Sequence, residues 1–229
     1  MKFRNAARQS GFTLVEIAIV LVIIGILLVG VLQGQEMIQN ARIKTAKAGL
    51  DGVSNAYKAY VDRFNRIPGD DGNTAAMVAR GANWANVVGG NSDGYLTVTA
   101  ANTFNTAAGE SGALWGQLRA AGFLQTGDMS SAALAALSPL NPWGGRYGIT
   151  PIVGAAGTTL GFPDTKVCMS HVPGTAARGL DSQFDDGNPA TGFTRATLNA
   201  TVLPAAGTAP GVAAAAYVDE NTYTVCSRL

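Results

Sequence analysis

The chain of 229 residues has a formal net charge of +1, with 47% hydrophobic and 14% charged residues. Residues 66–229 carry eight basic and eleven acidic side chains, a net charge of −3 without a basic run. This argues against binding of nucleic acid, because phosphate contacts need clustered Lys or Arg. The one histidine, His171, has no metal-ligand spacing or nucleophile motif beside it, and no Gly-rich phosphate loop has the required lysine context. The sequence therefore predicts that the protein is not an enzyme.

A long apolar segment follows a short basic leader. Lys2, Arg4 and Arg8 precede the 21-residue stretch from Phe12 to Leu32, in which Glu16 is the one charged residue. At ~1.5 Å per residue this stretch spans a hydrocarbon core, and it exceeds the 7–15 apolar residues of a secretory signal peptide. A carboxylate in a spanning helix costs roughly 2.5–3.5 kcal/mol and by default marks a functional contact. A plain single-pass anchor is the alternative, but it gives no reason for the carboxylate.

The segment Gly11-Phe12-Thr13-Leu14-Val15-Glu16 resembles the type III leader of type IV pilins and type II secretion pseudopilins. The resemblance implies that prepilin peptidase cuts after Gly11 and that Phe12 becomes the methylated mature N-terminus. It also implies that Glu16, the fifth mature residue, guides assembly into a filament. The basic leader favours a cytoplasmic N-terminus, and the resemblance agrees because the peptidase cuts on the cytoplasmic side.

The helix is predicted to continue beyond the apolar segment to about Phe64. Gly34 is a candidate weak point, because glycine inside a helix costs about 1 kcal/mol relative to alanine; the alternative is that the helix tolerates this glycine. Pro68-Gly69 is expected to end the helix. One apolar stripe with helical spacing follows Gly34, and it consists of Ile43, Ala46, Leu50, Val53, Tyr57, Tyr60 and Phe64. The stripe predicts packing against the chain's own head; a separate coiled coil is the weaker alternative, because regular flanking charge pairs are missing.

The composition changes at residue 66. Residues 66–229 hold 23 of the 29 glycines and all nine prolines, so we expect a loop-rich head of one domain with short strands. The elements predicted in chain order are a loop from Pro68 to Gly109, a helix near Glu110 to Phe123, and strands at Tyr147 to Val153, Thr165 to His171 and Ala216 to Cys226.

The two cysteines, Cys168 and Cys226, both fall in predicted strands. A head exported across the inner membrane meets oxidising conditions, so one disulfide is expected. The pilin resemblance implies the same pairing, since many pilins close a C-terminal loop in this way. A pair of free buried thiols is the alternative.

Several predicted turns concentrate carboxylates and amides. Asp181, Asp185 and Asp186 are calcium candidates, since calcium prefers such oxygens. An EF-hand loop starting at Asp181 would need Glu at its twelfth position, where Gly192 stands. The alternative is that these side chains cap their own turns. The turns are Arg66 to Asn73, Asn91 to Gly94 and Asp181 to Asn188.

The resemblance implies an α+β, type IV pilin-like fold, with a long N-terminal helix at about 12–64 on a loop-rich head with a small antiparallel sheet. The implied function is that of a structural subunit of a type IV pilus or pseudopilus, first held in the inner membrane with its head in the periplasm. Its partners would be other subunits, prepilin peptidase and the inner-membrane assembly platform. The alternatives are a DNA- or surface-binding minor pilin, or a type II secretion pseudopilin acting in protein export. The predicted parts are a leader at 1–11, a transmembrane and assembly half-helix at 12–32, an amphipathic half-helix at 33–65 and a head at 66–229.

Overall fold

The structure, a computed structural model, describes residues 13–104, 109–125, 127–151, 160, 165–199 and 209–229. The chain divides into an N-terminal unit, Met1–Ala41, and a C-terminal unit, Arg42–Leu229. The helices are α1 (Leu14–Phe64), α2 (Thr74–Val78), α3 (Glu110–Ala120), α4 (Ala132–Ala135) and α5 (Gly174–Phe184), and the strands are β1 (Tyr147–Thr150), β2 (Lys166–Pro173), β3 (Thr194–Leu198) and β4 (Thr222–Arg228). Two 3₁₀ turns occur at Ala82–Trp84 and Ala100–Asn102.

The predicted long helix is confirmed from Leu14 onwards; Phe12 lies outside the described residues. The apolar stripe of its C-terminal part is buried within the C-terminal unit, except for the half-buried Phe64. The helix continues without a break through Gly34. It ends before Pro68-Gly69, because Asn65 adopts a left-handed φ of 49° and donates its N–H to the Val61 carbonyl at 2.8 Å.

The sheet is fully antiparallel, with strand order β1-β2-β4-β3. The register between β2 and β4 shifts between Met169 and Val172, where His171 has a φ of 58°. This bulge lets β2 continue to Pro173, past its predicted end at His171. The structure therefore places the single histidine at a backbone irregularity.

Several predicted boundaries in the head are wrong. The strand predicted from Tyr147 to Val153 ends at Thr150, while Ile152 and Val153 lie outside the described residues. The strand predicted from Ala216 begins at Thr222, because Asn221 N–H donates to the Val218 carbonyl at 3.2 Å and closes a turn. The helix predicted to Phe123 ends at Ala120, followed by Gly122 in the left-handed region at a φ of 82°. The loop predicted between Pro68 and Gly109 contains α2 and both 3₁₀ turns.

The patterns in the sequence do not predict α4, α5 or β3. Helix α5 contains Gly174 and Gly179, which lower its helix propensity. A Cβ at Gly179 would lie 2.7 Å from Cδ1 of Ile43, so the glycine permits close packing of α5 against α1 within the C-terminal unit. Tertiary packing therefore overrides the local preference here.

The core of the C-terminal unit combines the α1 stripe with apolar residues of α3, α5 and the sheet. Trp115 and Leu118 of α3 and Met169 and Val225 of the sheet are at most 1% exposed. Burying a large apolar side chain contributes about 1.5–3 kcal/mol. The core therefore holds the second part of α1 in the same unit as the sheet.

Candidate processing and assembly segment

The first turn of α1 is closed by a reciprocal cap between Thr13 and Glu16. Both the backbone N–H and the Oγ1 hydroxyl of Thr13 donate to Oε2 of Glu16 at 2.8 Å. The N–H of Glu16 in turn donates to Oγ1 of Thr13 at 3.3 Å. This arrangement is a capping box, which satisfies backbone donors that a helix N-terminus otherwise leaves unpaired.

Thr13 is a residue that the sequence analysis did not single out. The signal was present as the pattern Thr-x-x-Glu ahead of an apolar run. The cap places the Glu16 carboxylate over the start of the helix, where it also complements the helix dipole. Gly11 and Phe12, the predicted processing residues, lie outside the described residues.

The apolar part of α1 buries almost nothing within its own unit. The large apolar side chains from Leu14 to Leu32 are between 46% and 86% exposed. By length and composition this helix is long and apolar enough to cross a membrane. Such a contiguous apolar surface is typical of contact with lipid or with other subunits.

Within the C-terminal unit, a buried polar cluster joins α1 to the turn that follows it. The Tyr60 hydroxyl donates to Oδ2 of Asp71 at 2.7 Å, and Arg80 pairs with the same carboxylate at 2.8 Å. The guanidinium of Arg80 also lies over the rings of Phe64 and Trp84, at 5.1 and 4.9 Å. Burial and the hydrogen bond to Asp71 raise the pKa of Tyr60 above its ordinary range. Tyr60 therefore remains a neutral donor.

The fully buried side chain of Gln117, on α3, also stabilises the turn that follows α1. Its Oε1 accepts from the N–H of Gly69 at 2.6 Å, and its Nε2 donates to the carbonyls of Asp71 and Val88, each at 3.2 Å. The turn at Pro68-Gly69-Asp70 is predicted from the sequence, but the role of Gln117 is not. No local pattern links residues so far apart in the chain.

Cys168 and Cys226 form a disulfide that closes a separation of 58 residues. The two cysteines lie directly opposite each other on β2 and β4, and both are 0% exposed. They pack with Phe104 and Leu160 in a small second apolar cluster. The disulfide therefore ties the two central strands together in a site shielded from solvent.

The structure brings Asp181, Asp185 and Asp186 together, with one oxygen of each within 4.8 Å of the others. Burial raises the pKa of Asp181, whereas the hydrogen bond from Thr191 lowers the pKa of Asp186. Protein donors already occupy most of the carboxylate oxygens. The donors to Asp181 are Gly187 N–H and the Tyr217 hydroxyl, the donor to Asp185 is Thr194 N–H, and the donors to Asp186 are Asn188 N–H and the Thr191 hydroxyl.

A second acidic cluster contains Asp70, Asp93 and Glu110. Both oxygens of Asp70 accept backbone N–H groups, from Asp93 at 3.0 Å and Gly94 at 2.8 Å. Oε2 of Glu110 accepts from the N–H of Thr97 at 2.5 Å. Burial, with the nearby charges of Asp70 and Asp93, raises the pKa of Glu110. These bonds hold the loop after residue 90 against the start of α3.

His171 contacts Ser170, with Nδ1 3.1 Å from the serine Oγ. This Oγ accepts from the backbone N–H of Arg146 at 3.0 Å, and the Ser170 carbonyl accepts from Asn141 at 2.6 Å. These contacts place His171 beside bonds that hold the loop before β1 against β2. Its position is accounted for by packing at the bulge.

Comparison with known protein families finds a match to the prokaryotic N-terminal methylation motif over residues 6–32. The match covers the second half of the predicted leader, the predicted cleavage position, the capping box and the apolar start of α1. No curated protein and no solved structure matches the chain.

The methylation motif supports a type IV pilin-like family, and the long N-terminal helix with its small four-stranded antiparallel sheet is consistent with a pilin-like fold. The motif is that of prepilin-type substrates of the pilin and pseudopilin class. With the apolar helix, it indicates a membrane-associated protein. Proteins of this class are typically structural subunits rather than enzymes.

Proposed function

We propose that this protein is a structural subunit of a type IV pilus or pseudopilus, polymerised through the apolar part of α1. The main support for this proposal is the methylation motif at residues 6–32. The helix that begins within it has one charged residue, Glu16, between Leu14 and Gln35. The subunit first resides in the inner membrane with its head in the periplasm. Its partners are other subunits, prepilin peptidase and the inner-membrane assembly platform.

Assembly is an exchange of lipid for protein around the apolar helix. Because lipid tails are as apolar as leucine, close packing and polar contacts drive helix association in the membrane. Glu16 supplies a polar contact, and the amino group of Phe12 on an adjacent subunit is its partner in the filament. Before assembly, the Thr13 cap keeps the Glu16 carboxylate hydrogen-bonded.

Processing is expected to occur between Gly11 and Phe12. Intact-mass analysis of membrane-extracted protein, from cells with active prepilin peptidase, should show a chain that begins with N-methylphenylalanine. Gly11→Ala should still be cut in part because its side chain is small, whereas the bulkier Gly11→Leu should block cutting. Full retention of residues 1–11 in the wild-type protein would contradict the proposal.

We further propose that turn capping, rather than bound calcium, orders the loop that contains Asp181, Asp185 and Asp186. The hydrogen bonds from Gly187, Tyr217 and the other protein donors support this proposal.

Thermal unfolding of the full chain in a non-ionic detergent should therefore give the same midpoint in EGTA and in calcium. A calcium ion at 100 times its Kd would instead raise the midpoint by about 5–10 °C. Such a rise, if Asp186→Asn removed it and Asp219→Asn did not, would show that the loop is a calcium site. Asp219 is a suitable control because it is a surface carboxylate that pairs with Arg178 and is not one of the three clustered carboxylates.

A further inference from the structure

A basic depression lies in the C-terminal unit between the end of α3 and the start of β1. Its lining includes Arg119, Arg146 and Ser138. Leu137 and Leu140 form part of its rim and are 36% and 63% exposed. The proposed filament function makes no use of this depression.

Arg119 holds one positive charge in a fixed position beside the depression. It is 9% exposed, and it donates to the carbonyl of Ala135 at 2.5 Å and to that of Leu137. Gly127 has a φ of 133°, and a Cβ there would lie 2.1 Å from Nε of Arg119. Because Gly127 has no side chain, the backbone at this position can approach the Arg119 guanidinium more closely than it could with any other residue. Burial and the charge of Arg146 lower the pKa of Arg119.

Arg146 brings a second positive charge to the same depression. It is half-buried, and its Nη1 donates to the Ser138 carbonyl at 2.8 Å. Within the described part of the chain, Arg146 forms no ion pair with a carboxylate. Asp128 also lines the depression, so the two arginines leave it with one net positive charge. Two neighbouring cations that are partly withdrawn from water favour an anion between them.

Ser138 provides an independent observation. The residue is 3% exposed, and its Oγ is buried without a hydrogen-bond partner among the described residues. Buried hydroxyl groups are normally hydrogen-bonded, so an unpaired one requires an explanation. An oxyanion bound beside Arg146 would accept this hydrogen bond. The leucine rim would strengthen the ionic contacts by excluding water.

We propose that this depression binds a small oxyanion, a phosphate or a carboxylate, held by Arg146 and the Ser138 hydroxyl with the Arg119 charge nearby. Guanidinium groups bind both oxyanions through paired, charge-assisted hydrogen bonds. The site is independent of the filament function, since it lies outside the α1 segment that carries the methylation motif.

Thermal unfolding of the full chain in a non-ionic detergent tests the proposal. Sodium phosphate and sodium acetate are titrated in separate series, with sodium chloride at matched ionic strength as the reference. The effective anion should raise the midpoint saturably, by about 3–6 °C at ten times its Kd. The two series distinguish phosphate from carboxylate.

Variants then assign the effect to this depression. Arg146→Gln should abolish the rise, and Ser138→Ala should weaken it while leaving the midpoint in chloride unchanged or higher. Arg178→Gln, at an exposed arginine that pairs with Asp219, should respond like the wild type. If Arg146→Gln fails to fold, Ser138→Ala decides. A linear rise, no rise with either anion, or an undiminished rise in Ser138→Ala would overturn the proposal.

Discussion

Glu16→Ala is expected to reduce incorporation into filaments at least tenfold while membrane insertion persists or improves. Removing the carboxylate makes the apolar segment easier to insert by roughly 2.5–3.5 kcal/mol. In the filament, however, the amino group of a neighbouring Phe12 would lose its partner. An uncompensated buried charge costs about 3–5 kcal/mol, and every 1.4 kcal/mol is a factor of ten in an equilibrium. The measurement compares membrane-bound protein with sheared filament material in cells that also contain wild-type assembly machinery.

The capping box requires a control, because Glu16→Ala also removes the local cap. Thr13→Val deletes the hydroxyl that donates to Glu16 but leaves the carboxylate charge in place. If the cap alone mattered, both variants would show the same defect. We expect a much smaller defect for Thr13→Val, since losing an N-cap costs about 0.5–2 kcal/mol. Normal incorporation of Glu16→Ala would refute the assembly role; for a subunit too scarce to shear, cross-linking to neighbours is the suitable assay.

The double variant Cys168→Ala/Cys226→Ala is expected to lower the free energy of unfolding by about 4 kcal/mol. In the chain-entropy model, this is the effect of losing a cross-link that closes a separation of 58 residues. Because both cysteines are 0% exposed, the variant also loses packing with Phe104 and Leu160. Alanine is used rather than serine, which would bury an unpaired hydroxyl.

Denaturant unfolding of the full chain in detergent measures this effect. Wild type that is unfolded and refolded in reducing buffer, with free thiols, provides a second measurement without the disulfide and should lose a similar amount. A double variant within about 1 kcal/mol of the wild type would show that the disulfide contributes little. Thiol labelling of unfolded, unreduced wild type should find neither cysteine reactive.

Local and periodic patterns predicted the elements that depend on neighbouring residues. The leader motif, the apolar segment and the stripe from Ile43 to Phe64 are each encoded in a short run of neighbouring residues, so they could be identified from the sequence. Helix α5 and strand β3 could not, because α5 contains glycines and β3, Thr194–Leu198, lacks a regular alternation of apolar and polar residues. The capping box is recognisable in the sequence as Thr-x-x-Glu. Because Glu16 is also the one carboxylate in an apolar run, it is assigned a role in assembly alone.

The sequence by itself indicated the class of protein, because the methylation motif and the carboxylate of Glu16 lie together in one short stretch of the chain. It also indicated the disulfide, since only two cysteines are present in the chain. The tertiary structure alone decided that Cys168 faces Cys226 across β2 and β4, and that Gln117 and Arg80 secure the turn after α1. It also decided that Arg146 and Ser138 line one depression. These contacts join residues far apart in the chain, and their partners follow from packing rather than from local propensity.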